Sequence, residues 1–459
     1  MTSFNKELTV RDTAIDGLLI VDFPVHGDNR GWFKENWQRQ KMLAVGLPDF
    51  GPVQNNMSFN ATAGTTRGLH AEPWDKFVSV GTGRVFGAWC DLREGSATYG
   101  AVVTQEITPD IGVYVPRGVA NGFQALEDET LYTYLVNDHW SPDAQYSNVN
   151  LADPALGIEW PLPLTEMSEK DKNHPMLVDA TGVPARKVLV TGAGGQLGTA
   201  LRAVFPDAEF VSRQDLDITS DLSSARPWKQ YSAIINAAAY TAVDKAEGEG
   251  RADAWAVNAT AVANLAAVAR ENNLTLVHVS SDYVFDGTAP GEYTEDAPLS
   301  PLGVYGQTKA AGDLAATGAP QHYVVRTSWV IGDGGNFVRT MKSLDARGIT
   351  PSVVDDQIGR LSFTQDIAAG IKHLLDTRAA YGTYNLTNSG EPASWADVAR
   401  MIFRDPAAVT GVSTAEYFVD KQGAAPRPLN SRLDLGKLTA TGFTAPDWRA
   451  RLADYLEEL

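Results

Sequence analysis

A glycine-rich string, TGAGGQLG at Thr191–Gly198, lies in the middle of the chain, and its position constrains the fold more than any other feature. It follows the apolar run KVLV and leads into a helical pattern from about Gln196. In that setting Gly192, Gly195 and Gly198 let the backbone approach a pyrophosphate closely, and the helix N-terminus favours its charge. The plainer alternative is a tight structural turn. A loop of this kind normally opens a dinucleotide-binding domain, yet roughly 185 residues precede the strand that feeds it. That is enough for a further domain. The chain therefore reads as two domains, 1–180 and 187–459, with the Gly- and Pro-containing stretch DATGVPAR as linker, and its function reads as two coupled steps.

The texture of the sequence changes across that linker. Before it, short apolar or alternating runs (GLLIVDF, FVSVGTGRVFGAWCDL, IGVYVP, TLYTYLV) are punctuated by Gly, Pro, Asp and Asn, which predicts a β-sandwich or barrel. Short helices are expected at Gln38–Val45 and Glu166–Lys172. After the linker, apolar strands alternate with amphipathic helices, the longest over Arg251–Asn272, which predicts a parallel, doubly wound α/β sheet.

Composition narrows the partners. A net charge of −18 and a pI near 4.8 argue against nucleic acid or an anionic membrane surface, though not against a small anion held in a local basic pocket. The single cysteine, Cys90, sits in the apolar run VFGAWCDL and is expected to be a buried strand residue. No run of 18 apolar residues predicts a membrane span, and MTSFNKELTVRD lacks the pattern of a signal peptide, so a cytoplasmic setting is expected.

In the second half, Tyr305 and Lys309 are spaced i, i+4, so both side chains lie on one helical face. A nearby ammonium favours the phenolate and is expected to lower the tyrosine pKa, which suits proton donation to a carbonyl oxygen as hydride arrives. Such a pair by itself is more often a surface feature. Ser280-Ser281-Asp282-Tyr283, at the end of the strand LTLVHV, adds a hydroxyl where a parallel sheet displays active-site residues. The end of the second strand reads Val211-Ser212-Arg213, which suits a 2′-phosphate and points to NADPH; Asp217 keeps NADH open.

Glycine loop, Ser, Tyr and Lys in this order resemble the extended short-chain dehydrogenase/reductase superfamily. NAAAYTAVDKAE, SSDYVFDG, VYGQTKAAGD and RTSWV closely resemble dTDP-4-dehydrorhamnose reductase, over about 187–459. The resemblance implies a Rossmann domain with a small C-terminal substrate lobe. It implies Ser281, Tyr305 and Lys309 as catalytic residues, the last two also touching cofactor. Gly192, Gly195, Gln196, Leu197, Arg213, Asp217, Ile218, Ala237, Ala238 and Ala239 would line the cofactor. Asp282, Trp329 and Arg427 would lie near the substrate. Ala200 stands where some members carry a glutamate at a magnesium-bridged dimer contact, so no metal is implied.

In the first half, RGLHAEPWDKF gathers Arg67, His70 and Lys76. A His can remove a proton beside a ketone, a Lys can stabilise the enolate oxygen, and Asp171 could orient the His. Spacing alone favours a hydrogen-bonded structural His with two surface charges. DNRGWFKENW, VQNNMSFN, TRGLH, DLREGSATYG, VPRGVANGF and SEKD, however, occur in the order found in dTDP-4-dehydrorhamnose 3,5-epimerase, over about residues 10–178. That resemblance implies a cupin-like jelly roll working without metal, in keeping with the lack of His-x-His. It assigns His70 as base, Asp171 as its partner and Lys76 as enolate stabiliser, with Arg30, Glu35, Gln54, Asn56 and Arg67 holding the nucleotide sugar. It also places any homodimer contact on the jelly roll.

Two positions depart from that family. Trp140-Ser141-Pro142 replaces a Tyr-x-Pro pattern expected to supply the opposite-face proton, and Asn121 replaces a His. Indole cannot be that acid, which leaves Tyr134, His139 or water. The resemblances together imply 3,5-epimerisation of dTDP-4-dehydro-6-deoxy-D-glucose, then NADPH-dependent reduction of the C4 ketone to dTDP-L-rhamnose. A single-centre or non-catalytic barrel, or another dTDP-6-deoxyhexose as product, are the alternatives.

Overall fold

Side-chain alternation organises the first part of the chain. In the strand Gln54–Asn60 the even-numbered residues turn inward while Asn55, Met57 and Phe59 face out, the period of two that a half-buried strand requires. The computed structural model describes residues 6–141, 144, 146–421 and 423–459, and they divide into two units, Met1–Ala185 and Arg186–Leu459. Pro142 of the Trp-Ser-Pro pattern and the first five residues of the N-terminal stretch lie outside the described residues.

Among the described residues the first unit has two large antiparallel sheets and a small ribbon, His26–Asp28 with Gly31–Phe33. One orders Thr9–Asp12, Leu19–Asp22, Ile111–Val115, Lys76–Thr82, Thr130–Val136 and Gln54–Asn60. The other orders Ser147–Asn148, Thr66–Ala71, Val119–Ala125, Val85–Asp91 and Val102–Ile107. Ile20, Val78, Val113 and Tyr132 from the first pack with Val85, Trp89, Ile107 and Phe123 from the second, so the sheets share one core. The Trp89 indole is buried there with its N–H donated to Asn121 Oδ1 at 2.9 Å. Asn121, at the position where the family pattern has a His, also accepts from Tyr132 Oη, which makes it a structural residue of the core.

Cys90 lies in the strand Val85–Asp91 and is fully buried; burial and the nearby Asp91 charge push its thiol up to about 12, leaving it unreactive. The two expected short helices form as Arg39–Ala44, capped by Gln38, and Glu169–Lys172, capped by Ser168.

In the second unit six parallel strands run Glu209–Val211, Lys187–Thr191, Tyr231–Asn236, Thr275–Ser281, His322–Thr327 and Gly382–Asn385. Successive connections leave in opposite directions on the two sides of Lys187–Thr191, so a crevice opens between it and Tyr231–Asn236 at their carboxyl ends. The expected long helix is present over Arg251–Glu271, but residues Ala256–Thr260 widen into a π turn. Asn258 in that turn accepts from Tyr240 N and donates to Tyr240 O and Thr308 Oγ1, which ties it to the helix Val304–Ala316. A lobe of helices Phe337–Ala346, Trp395–Ile402 and Trp448–Glu458 closes around Ile331, Phe363, Val398 and Trp448. Among the described residues no helix is long and apolar enough to cross a membrane.

Candidate active sites

His70 projects from Thr66–Ala71, and the short helix Glu169–Lys172 brings Asp171 to it across 101 residues of sequence, with Nε2 and Oδ1 at 2.8 Å. Asp171 is 5% exposed, and Gly68 N donates to its Oδ2 at 3.4 Å. Burial pushes this carboxyl up, but the hydrogen bonds it accepts from His70 and the Gly68 amide help to outweigh that, and it is held below the usual range. It is therefore a carboxylate, an acceptor only, so the shared proton sits on His70 Nε2 and the lone pair on Nδ1. The pairing expected for a histidine base is in place.

Lys76 is buried, contrary to a reading of it as a surface charge. Its ammonium is paired with Glu72, which also accepts from Trp74 Nε1 at 2.8 Å, and it lies 5.2 Å from the centre of the Tyr134 ring. Glu72 and Tyr134 complete this cluster, and neither was assigned by the family pattern. Tyr134 is half-buried, and burial with the Glu72 charge raises its pKa, so its hydroxyl stays protonated. Beside it in register is Asn56, whose Oδ1 accepts from Gln54 Nε2 at 2.9 Å. Arg67 reaches across to Asn60 Oδ1 at 3.1 Å. His139 and Trp140 are exposed, Trp140 at 63%. Arg30 is exposed and paired with Asp28, and Glu35 is paired with Lys41. In the single chain both are engaged on their own exposed segment instead of with this cluster.

In the second unit a cavity of about 470 Å³ opens at the crevice. Its lining includes Gly192, Gly195, Arg213, Asp217, Ile218 and Ala237–Ala239. Gly192 has φ +75, and a Cβ on it would stand 2.6 Å from the Ala237 carbonyl carbon, so no other residue fits there. Gly194 faces open space, and the helix Gln196–Val204 starts at Gly195 with no side-chain cap, leaving its first amides free for an anion. This cradle fits a dinucleotide pyrophosphate. Leu197 offers only its backbone: its side chain packs in the core with Val190 and Val277, because the first helical turn must seal the sheet. Gln196 is turned toward Gly335 O. Asp217 caps a turn by accepting from Thr219 N and Oγ1, and Arg213 stands 3.8 Å from its free oxygen.

Ser281 ends the central strand, donating to Asp282 Oδ1 at 2.9 Å. Tyr305 and Lys309 follow on Val304–Ala316, one turn apart, with Tyr283 edge-on to Tyr305 at 5.3 Å. Lys309 is 2% exposed and donates to Val279 O at 2.7 Å; burial lowers its pKa to about 8. The expected lowering of the Tyr305 pKa is not what the geometry produces. Burial, then the Asp282 charge, raise it to about 12, against a smaller pull from Ser281. Tyr305 is thus held as the protonated acid. Asp282 is buried beneath Ser281, and burial raises its own pKa to about 6.

Beside these residues the lobe encloses a cavity of about 670 Å³, walled by Tyr283, Phe337, Trp395 and Phe418 and carrying Lys421 and Arg427. Arg427 lies 4.7 Å over Phe418, and its Nη2 donates to both carboxylate oxygens of Asp244 at 2.9 and 3.0 Å. Trp329 is not in that wall. It stacks at 3.8 Å on Trp395, which faces the cavity in its place.

Fold and side chains together define a nucleotide-cradling Rossmann reductase joined to a β-sandwich carrying a partly buried His–carboxylate pair. Residues 186–459 match the family of the RmlD substrate binding domain and residues 12–179 match dTDP-4-dehydrorhamnose 3,5-epimerase; the chain belongs to both families, as a fusion. It is 54% identical over 187 residues to a protein RmlC homolog of Streptococcus pyogenes, covering 39% of this chain and 94% of that one. It is 39% identical over 295 residues to the dTDP-4-dehydrorhamnose reductase of Aggregatibacter actinomycetemcomitans, covering 58% and 97%. The structure of the Bacillus anthracis dTDP-4-dehydrorhamnose reductase in complex with NADP is similar at a TM-score of 0.53 and 33% identity, covering 60% of this chain and 100% of that one.

Proposed function

We propose that the chain is a bifunctional sugar-nucleotide enzyme. Residues 1–180 epimerise dTDP-4-dehydro-6-deoxy-D-glucose at C3 and C5, and residues 187–459 reduce the C4 ketone to give dTDP-L-rhamnose. The observation that carries this is the pairing of a His70–Asp171 base in one family's fold with Ser281, Tyr305 and Lys309 above a glycine cradle in the other's. C3 and C5 both flank the C4 ketone, so one base and one enolate-stabilising group serve both inversions. His70 Nδ1 removes the proton and the Lys76 ammonium neutralises the enolate oxygen. Tyr134 is the opposite-face acid: it lies against Lys76, on the sheet facing the one that bears His70, and it keeps its proton.

In the second domain the glycine cradle and its cavity would hold NADPH, which when bound would supply hydride for C4. Ser212 and Arg213 at the end of the second strand favour the 2′-phosphate, while Asp217 is occupied by Thr219. Tyr305 gives its proton to the C4 oxygen, and the Ser281 hydroxyl, turned from Asp282, holds that oxygen in line. The aromatic walls of the lobe cavity take the base, and Lys421 and Arg427 take the diphosphate. Fusion keeps the keto intermediate near its consumer by raised effective concentration.

A homodimer contact fits the outer face of the edge strand Gln54–Asn60, where Met57 and Phe59 are 68% and 59% exposed and Val53, just before the strand, is 55% exposed. Arg30 and Glu35, exposed on the neighbouring segment, would then serve the site of a second copy. A cytoplasmic setting suits the soluble nucleotide substrate and the lone buried cysteine.

The assignment of Tyr134 is tested by solvent deuterium uptake at C3 and C5 without NADPH. Tyr134→Phe is expected to slow uptake about 10²-fold, the usual worth of a positioned acid, while Trp140→Phe stays within about threefold, a surface change. A Tyr134→Phe enzyme exchanging both positions at the wild-type rate contradicts it.

A further inference from the structure

His174 is a buried titratable side chain to which the proposed epimerisation gives no task. It lies three residues beyond Asp171, is 8% exposed, and stands edge-on to the His70 ring at 5.3 Å. Neither of its ring nitrogens makes a well-formed hydrogen bond, and the backbone of Gly68 is the nearest polar neighbour to interact with it besides Asp171. A buried imidazole with no well-formed hydrogen bond on either nitrogen is uncommon and calls for an explanation. Its Nε2 stands 3.8 Å from Asp171 Oδ1, the oxygen that His70 Nε2 meets at 2.8 Å. One donor atom each from His70, Asp171 and His174 fall within 4.8 Å of one another.

Zinc binds nitrogen and carboxylate oxygen at about 2.0–2.2 Å in a tetrahedron, which sets its ligand atoms about 3.4 Å apart. The two distances observed lie on either side of that value. Burial lowers the His174 pKa, and a neutral imidazole keeps one nitrogen lone pair for a ligand bond. The partly exposed His70 edge leaves a route in and room for a water as fourth ligand. Asp171 Oδ2 can keep its Gly68 hydrogen bond throughout.

We propose that His70, Asp171 and His174 form a three-ligand site for a divalent transition ion of the zinc class, and that filling it switches the epimerase half off. The binding claim stands on geometry alone; the switching claim rests on the proposed function. Before metal binds, His70 Nε2 faces Asp171 Oδ1 at 2.8 Å, and in the neutral ring that donates there the lone pair lies on Nδ1. Coordination through Nε2 takes up the Nε2 lone pair, and the ring proton passes through solvent to Nδ1. No net proton is released from a neutral ring. The lone pair that would remove the C3 or C5 proton is gone, and Asp171 is now a metal ligand. The reductase half contains none of these ligands and keeps its activity.

The test uses the full-length chain, stripped with EDTA and desalted. Zinc chloride is titrated calorimetrically, and deuterium uptake at C3 and C5 is followed with and without zinc. Wild type is expected to bind one ion at this site, to lose at least tenfold in exchange rate when loaded, and to recover with EDTA. His174→Phe, which fills the space without a ligand atom, and His174→Ala are expected to bind zinc at least tenfold more weakly and to exchange in its presence at nearly their zinc-free rate. Their zinc-free exchange shows that the fold is intact. No binding by wild type, or equal affinity in the folded variants, overturns the site. Exchange unaffected in a zinc-loaded wild type overturns the switch. Zinc-free wild type that never exchanges overturns the epimerase reading instead, while calorimetry still decides the metal site.

Discussion

Tyr305→Phe is expected to lower kcat for NADPH oxidation with the keto sugar by about 10³-fold, within the range that a positioned proton donor contributes. The ring fills the same space, so binding of coenzyme should change little; the loss falls on the chemical step. Two features make the effect large. Tyr305 is held protonated, at about 12, by burial and by the Asp282 charge, so the acid is fully available at neutral pH. The buried ammonium of Lys309 is one helical turn away and offsets the phenolate as it forms. Burial lowers the pKa of that ammonium to about 8. It is charged below that pH and neutral above it, so kcat/KM for reduction is expected to fall as the pH rises through about 8. Stopped-flow absorbance of the reduced nicotinamide across pH 6–10 reads both effects, as approximate bounds on the titration. A Tyr305→Phe enzyme within tenfold of wild type would remove Tyr305 from the chemistry.

His70→Ala is expected to abolish deuterium uptake at C3 and C5 while leaving reduction of an already epimerised keto sugar unchanged. Asp171→Asn is the sharper variant. It keeps the ring but replaces an acceptor-only carboxylate by a group that can also donate, so the tautomer that exposes Nδ1 is no longer enforced. A loss of about 10³–10⁴-fold is the expectation, by analogy with carboxylate-to-amide changes in other His–carboxylate pairs. Proton NMR of the recovered sugar in deuterium oxide checks it. Rapid uptake by His70→Ala, or equal damage to the reductase reaction, would contradict a division of labour between the halves.

How much of this was legible in the sequence follows from how local each determinant is. The glycine loop and the Tyr305–Lys309 pair are short-range patterns. A strand, a turn needing positive φ at Gly192, and one helical turn suffice to place them. The parallel sheet followed from the alternation of strand and helix. Asp171, by contrast, lies 101 residues from His70, and spacing carries no trace of their contact; resemblance supplied it. His174 escaped because a His-x-His search looks along one strand, whereas this cluster joins a strand to a distant helical turn.

Electrostatics was the least legible part. The i, i+4 ammonium suggests a lowered tyrosine pKa, but burial and Asp282 reverse the sign, and both are properties of the packed site. Trp329 shows the same limit for shape. Its place in RTSWV put it near the substrate, yet it stands behind Trp395, contributed from 66 residues later, which lines the cavity. Tyr134 was one of three candidates left by Trp140. Its inward register on Thr130–Val136, against the exposure of His139, is what favours it in the proposed mechanism.

The most direct measurement supplies the whole chain with dTDP-4-dehydro-6-deoxy-D-glucose and NADPH and identifies the product by NMR. One equivalent of NADPH consumed per sugar, with dTDP-L-rhamnose as product and solvent deuterium at both C3 and C5, is the predicted result. Unchanged nicotinamide absorbance with either reduced coenzyme would contradict the account, as would a reduced sugar that retains its original configuration at C3 and C5.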